Sequence, residues 1–268
     1  MKVAGEVVVI TGAGSGIGAA MARRFAAEGA AGLLLADRDE AAVGEVAASI
    51  DGPPAVALRV DVAERTEVEA MVATAHHELG PIGLLCSNAG IGTGRGLEAD
   101  DEDWTRSLEV NVLAHVHAAR AALPAMLERG RGALLQTCSA AGLLTMIGDA
   151  PYAVSKHAAV AFAEWLALTY GHRGIHVAAL CPQGVRTPLL TEGLEAGEPA
   201  ARAVVATGEV LEPEEVAEAV VAGLEQERFL ILPHPEVAEH LRRKATDPDR
   251  WLGTLGRLAA SLDGPGAS

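Results

Sequence analysis

The chain has 268 residues, half of them hydrophobic and only 3% aromatic, with a formal net charge of −15. At about 100–200 residues per domain the length admits one large domain or two small ones, and regular strand and helix patterns with no Pro/Ser-rich linker between them favour one α/β unit. The acidity excludes nucleic acid and anionic membranes as expected partners, since both select clustered Lys and Arg.

The first apolar run, residues 7–10, leads into Thr11-Gly12-Ala13-Gly14-Ser15-Gly16-Ile17-Gly18 and a helical pattern over 17–28, with Ile17, Met21 and Phe25 on one stripe. A strand, a glycine turn and a helix N-terminus in that order attract a phosphate: free N–H groups and the helix dipole favour the anion, and residues without Cβ let it approach. Gly12, Gly16 and Gly18 are therefore candidate dinucleotide contacts, with Ser15 and Ile17 between them. The second strand, 32–36, ends at Asp37, 19 residues beyond Gly18. A carboxylate there accepts both ribose hydroxyls of NAD and repels the 2′-phosphate of NADP. The adjacent Arg38 would favour that phosphate, but Asp37, and a turn whose Ser15 is not basic, set the expectation of NAD.

A helix over 40–50 and a strand over 55–60 follow, ending at Asp61-Val62, where the carboxylate could accept the adenine amine and Val62 cover a ring face. After a helix over 64–79 and a strand over 82–87 come Asn88-Ala89-Gly90, small enough for a cofactor to pass close. Helices are predicted over 101–129, 150–170 and 213–226, and strands over 133–137, 175–181 and 229–232. Apolar runs without polar alternation suit parallel strands covered on both faces, and strand–helix alternation predicts a doubly wound sheet. Residues 187–208, with Pro199 and scattered leucines, have no clear period and read as a lid. The tail, 233–268, reads as one or two helices extending the same domain, 1–232, with a disordered end at 264–268.

Ser139 follows the fifth strand, and Tyr152 and Lys156 are four apart on a predicted helix, hence on one face. An alcohol that loses a hydride must also lose its hydroxyl proton, and a phenol with a pKa near 10 is a poor base at neutral pH. An ammonium at ~4 Å supplies roughly 4 kcal/mol at an effective dielectric near 20, about three pKa units. Ser139 can hydrogen-bond the substrate oxygen.

These residues resemble the short-chain dehydrogenase/reductase family in its compact, single-domain form. The resemblance covers about residues 5 to 190 and rests on 11–18, Asp61-Val62, Asn88-Ala89-Gly90, Asn111, Ser139 with Tyr152 and Lys156, and 182–188. It implies a Rossmann fold with a mostly parallel seven-stranded sheet and helices on both faces. It also implies Tyr152 as general acid/base, Lys156 on the nicotinamide ribose, and Asn111 holding a water that links Lys156 to solvent. Pro182, Val185 and Thr187 would lie at the nicotinamide, Val185 contacting the carboxamide through its backbone. One departure is Gln183, where the family usually has Gly after Pro; another is Ser87, where Asn is frequent.

The leading reading is an NAD-dependent oxidoreductase of secondary alcohols and ketones. The alternatives are a non-catalytic dinucleotide-binding scaffold, or an epimerase or dehydratase that recycles its cofactor. Ala140, Leu143, Thr145, Met146, Ile147, Leu189, Leu190 and Leu194 form an expected apolar pocket wall, suited to a medium apolar alcohol. Trp104, Leu108, Val112, Phe162, Trp165 and Leu166 suggest a homodimer or homotetramer. His76-His77 and His115/His117 lack metal-ligand spacing, so no metal is expected. Cys86, Cys138 and Cys181 read as buried hydrophobes. Met1-Lys2 leads directly into the first strand, and no apolar run nears the ~18 residues of a membrane span, so the expected location is a reducing cytoplasm.

Overall fold

The computed structural model describes residues 1–262; the disordered end expected at 264–268 lies outside the described residues. β1 (Val7–Thr11) is buried along its whole length and passes through the glycine turn into α1 (Gly16–Ala27). Met21 and Phe25 on α1 are fully buried, while Ile17 packs at the edge of the same core; each fully buried side chain contributes about 1.5–3 kcal/mol. β2 (Gly32–Asp37), α2 (Glu40–Ala48), β3 (Ala55–Arg59), α3 (Arg65–Glu78) and β4 (Ile82–Ser87) continue the alternation. Asp39 caps α2 by accepting the Ala42 N–H at 3.0 Å.

The helix expected over 101–129 runs unbroken but is irregular at its middle. α4 (Asp101–Leu108) opens into a π-helical turn at Glu109–Leu113 before α5 (Ala114–Arg129). The Ala114 N–H bonds the Glu109 carbonyl, five residues back, so one extra residue is accommodated there. β5 (Gly132–Thr137) leads to the short α6 (Ala141–Leu144), and α7 (Ala150–Tyr170) to β6 (Ile175–Leu180).

Two features had no clear sequence signal. β7 (Gly184–Val185) pairs in parallel with β8 (Val210–Leu211), and the lid segment between them holds α8 (Pro188–Glu195) and α9 (Pro199–Thr207). α10 (Pro213–Glu225), β9 (Leu230–Ile231), α11 (Glu236–Thr246) and α12 (Pro248–Leu262) complete the described chain.

The main sheet is parallel, in the order β3-β2-β1-β4-β5-β6-β9. Apolar cores lie on both of its faces, one around Phe25 and Leu35, the other around Met71, Leu85 and Leu134. β1 pairs with both β2 and β4, so strand order reverses there, and a doubly wound sheet binds ligands at the carboxyl ends of such strands. The tail packs back onto this end: Val237 is fully buried beside Ala140 and Leu144, with Trp251 against the same cluster.

Candidate active site

At the switch point Asn88 joins three strands. Its Nδ2 donates to the carbonyls of Thr11 (3.1 Å) and Gly12 (3.2 Å), and its Oδ1 accepts the Thr137 hydroxyl at 3.1 Å. Thr11 Oγ1 accepts the N–H groups of Asn88 (2.9 Å) and Ala89 (3.2 Å). The glycines of the turn answer to this crowding. Gly12 has φ +64° and a Cβ there would stand 2.8 Å from the Ala89 Cα, while a Cβ at Gly18 would run into the Gly12 carbonyl. Gly16, at φ +49°, lies against Thr187, whose Cγ2 would be 2.8 Å from a Cβ.

The turn fits a dinucleotide. Ser15 is the extended N-cap of α1 and makes no side-chain cap hydrogen bond among the described residues, so the first N–H groups of this helix are left for an anion. Asp37 accepts the Gly14 N–H at 2.9 Å and the Asp39 N–H at 3.1 Å, one on each oxygen. Each oxygen keeps a lone pair for a ribose hydroxyl. An open pocket of about 630 Å³ adjoins it, lined by Arg38, Asp39, Glu40, Ala41, Arg59, Asp61 and Arg106.

Asp61 has partners within the protein. Its Oδ2 pairs with Arg106 at 2.7 Å and its Oδ1 accepts the Ala63 N–H at 3.0 Å. Burial works upward on its pKa, but these bonds prevail and hold the carboxyl below its usual range. As at Asp37, each oxygen keeps a lone pair, so an adenine amine could still be accepted beside the Arg106 pair. Val62, expected over an adenine face, packs into the core with only 8% of its surface open.

The sheet brings Ser139, Tyr152 and Lys156 together. Ser139 is buried, its Oγ accepts the Ala141 N–H at 3.1 Å, and it stands near enough to the Tyr152 phenol to favour its ionised form. Burial pushes that phenol up to about 12; Ser139 pulls it down, and the Asp149 carboxylate acts upward. The Lys156 Nζ lies 5.6 Å from the Tyr152 ring centre and donates to the Thr137 carbonyl at 2.9 Å. Burial pulls its own pKa down. The phenol lowered by its lysine neighbour is thus not found in the protein by itself, where desolvation is the largest influence and acts upward.

Asn111 is fully buried. Its Oδ1 accepts the Ile91 N–H at 2.9 Å, and its Nδ2 donates to the Ile91 carbonyl (2.9 Å) and to Ser155 Oγ (3.0 Å). A Cβ at Gly90 would stand 3.2 Å from the Lys156 Nζ and 3.3 Å from the Asn111 Oδ1, so Gly90 separates the two. Of the loop after β6, Pro182 and Val185 are buried. Val185 sits in the core, and its carbonyl accepts the Thr187 N–H at 2.8 Å.

Beside Tyr152 stands a carboxylate the sequence did not single out. Asp149 is 3% exposed, caps α7 at the Tyr152 N–H (2.9 Å), and accepts the Gly94 N–H at 2.8 Å. Leu189 reaches this place: a Cβ at Gly92 would meet its Cδ1 and the Asp149 Oδ2 at 3.3 Å, and the Tyr152 Cδ2 at 3.9 Å. Of the expected wall, Ala140 and Leu190 are buried, whereas Leu189 and Leu194 stay exposed. Gln183 turns toward the lid, donating through Nε2 to Thr207 Oγ1 at 3.1 Å. Lys244 donates to the Leu143 carbonyl at 2.7 Å, so the tail grips α6 behind Ser139. Among the described residues no group of three or more His, Cys, Asp or Glu stands in a metal-holding arrangement, and no helix is long and apolar enough to cross a membrane.

A family model described as short chain dehydrogenase matches residues 6–197. Meso-2,3-butanediol dehydrogenase of Serratia marcescens is 38% identical over 225 residues, covering 84% of this chain and 88% of that protein. A short-chain dehydrogenase/reductase from Burkholderia phymatum in complex with NAD superposes with a TM-score of 0.85 at 31% identity, over 93% of this chain and 96% of that one. A short-chain dehydrogenase from Sphingobium yanoikuyae in complex with NADPH does so with a TM-score of 0.77 at 28% identity, over 98% of each.

Proposed function

This chain belongs to the short-chain dehydrogenase/reductase family, and on that premise we propose that it interconverts a secondary alcohol and its ketone with NAD. The observation that carries the reading is the meeting of Ser139, Tyr152 and Lys156 beyond the carboxyl end of β5, with the Lys156 Nζ 5.6 Å from the Tyr152 ring centre and held by the Thr137 carbonyl. The chemistry that bound NAD would supply is a hydride acceptor for the carbinol carbon and a positive charge that would favour phenolate. Ser139 orients the substrate oxygen, and Tyr152 removes its proton in oxidation and returns it in reduction. Lys156, fixed by the Thr137 carbonyl, keeps a positive charge beside the phenol. The side chain of Asn111 is taken up by Ile91 and Ser155, so the backbone carbonyls of its π turn are the acceptors left for a water on the path from Lys156.

NAD is favoured over NADP by Asp37, whose carboxylate keeps lone pairs for ribose hydroxyls and would repel a phosphate. The turn, Asp37 and Arg38 hold the adenosine half; Asn88, Ala89 and Gly90 floor the site, and Pro182, Val185 and Thr187 flank the nicotinamide. The wall of Ala140, Leu143, Met146, Ile147, Leu189 and Leu190 suits an apolar, medium-sized alcohol or ketone. Three free, buried cysteines accord with a reducing cytoplasm.

Self-association is supported by α4, the π turn and α7, which leave Leu108, Leu113, Val154, Trp165 and Leu168 exposed; we infer a homodimer or homotetramer. Leu166, expected on that face, lies in the core at 1% exposure. Sedimentation at micromolar concentration tests this, and a 27.5 kDa species would refute it.

The enzymatic test is a panel of secondary alcohols with NAD, followed by NADH release. Turnover of apolar alcohols, strongly reduced in Tyr152→Phe, is expected. Undiminished turnover in Tyr152→Phe would revive the scaffold reading, and product formation without net NADH would favour an epimerase or dehydratase.

A further inference from the structure

The tail contributes one residue to the cofactor loop. β6 and β9 are parallel neighbours, so the chain leaves both at the same end of the sheet. After β6 it forms Pro182-Gln183-Gly184 and then β7; after β9 it forms Pro233-His234-Pro235. His234 is 1% exposed. Its Nδ1 accepts the Gln183 N–H at 3.1 Å, and its Nε2 donates to the Gly184 carbonyl at 3.1 Å.

We propose that His234 is the positioning residue for the segment that presents Val185 and Thr187 to the nicotinamide; the inference rests on the NAD-binding reading above. A neutral imidazole carries an acceptor and a donor at fixed separation in one rigid ring. By bonding two successive residues it sets the orientation of both peptide groups just before Val185. The ring is itself held from two sides. Pro233 and Pro235 restrict the backbone on either side of it, and Val237, fully buried beside Ala140 and Leu144, anchors the start of α11. The rest of the segment is tied by the Ala140 N–H to the Pro182 carbonyl at 2.8 Å, by the Arg186 N–H to the Leu211 carbonyl at 2.9 Å and by the Arg186 Nε to Glu212 at 2.6 Å, but no other side chain bonds the peptide groups of residues 183 and 184 among the described residues. Gln183, standing where the family usually has glycine after proline, extends the connection to Thr207 at the end of α9. The tail, the cofactor loop and the lid therefore meet at residues 183 and 234.

The test compares His234→Phe, which keeps an apolar ring but neither bond, His234→Ala, and His234→Gln, whose amide offers a donor and an acceptor. NADH affinity is read by fluorescence titration, together with Tm and the separate KM values for NAD and alcohol. A buried peptide group left unpaired in a ligand-contacting loop should weaken NADH binding by about tenfold or more in the Phe and Ala variants. KM for NAD should rise with it, KM for alcohol should hold, and Gln should recover most of the affinity. Where Phe does not fold, Ala against Gln decides. Wild-type affinity in a folded Phe or Ala variant overturns the assignment, as does a folded Gln variant no better than Ala. Hydrogen exchange on the wild type is a check free of variants: a Gln183 amide that exchanges freely also overturns it. A wild type that binds no dinucleotide fails the functional reading instead, and the amide measurement still judges His234.

Discussion

Asp149 holds Thr93 by both carboxylate oxygens: Oδ2 accepts the Thr93 N–H at 2.7 Å and Oδ1 accepts the Thr93 hydroxyl at 2.9 Å. The same carboxylate accepts the N–H groups of Gly94 and Tyr152, so one buried side chain joins the loop after β4 to the helix that carries the phenol. Asp149→Asn has a definite consequence. An amide can serve Thr93 and Gly94 with its oxygen and the Thr93 hydroxyl with its nitrogen, but it then faces the Tyr152 N–H with a donor. One buried N–H without an acceptor should lower stability by about 1–3 kcal/mol. Removing a charge that raises the phenol should also move the acidic limb of the alcohol-oxidation pH profile to lower pH. A melt and a pH–rate profile check both, and an unmoved limb would remove Asp149 from the electrostatics of the site.

Tyr152 sets the direction of the pH response. Its phenol is raised to about 12 in the protein, so the base form grows with pH through the neutral and alkaline range. Alcohol oxidation should therefore accelerate as pH rises, whereas ketone reduction, which uses the protonated phenol, should not. Tyr152→Phe should lower kcat/KM by about 10²–10⁴-fold, the range for general acid–base catalysis, while NADH binding persists. Parallel pH profiles for the two directions would contradict this.

Asp37 should control cofactor choice. A carboxylate about 5 Å from a phosphate repels it by roughly 3 kcal/mol per unit charge at an effective dielectric near 20. Asp37→Ser should raise the kcat/KM ratio of NADP to NAD by at least about tenfold. A wild-type preference for NADP would overturn the NAD assignment directly.

His115 links stability to acid. It is fully buried beside the active site, and burial, reinforced by the Lys156 charge, pulls its pKa down to about 3. The unfolded imidazole titrates near 6.5. Between those values the unfolded chain binds the extra proton, so stability should fall as pH drops below 6.5, by about 1.4 kcal/mol per pH unit from this group. His117 and His176 are shifted the same way and add to the slope. His115→Leu should flatten the dependence of Tm on pH between about 6.5 and 5, before the carboxylates titrate. Identical slopes in variant and wild type would dismiss the effect.

The sheet was legible because its strands are short apolar runs and its first turn carries glycines in a fixed order. Ser139, Tyr152 and Lys156 were legible as residue types on a common register. The partners that hold them were not. Arg106 meets Asp61 across 45 residues and His234 meets Gln183 across 51, distances over which periodicity carries no information. Asp149 had a local signal, an Asp just before the predicted helix 150–170 with Pro151 in its first turn, and that marks an N-cap; its grip on Thr93 had none. α8 and α9 were missed because short helices interrupted by glycine show too few turns to establish a period.

The π turn at Glu109–Leu113 lets one continuous helical rod serve two distant duties. Upstream, Arg106 is aimed at Asp61 on the adenosine side; within the turn, Asn111 is aimed at Ile91 and Ser155. Deleting one residue there would restore a regular helix and swing one half against the other by about 100°, so that either anchor could be kept but not both. The wide turn works as a fixed angular offset, and an alignment gap at that position in any related chain would signal that one of the two anchors has been given up.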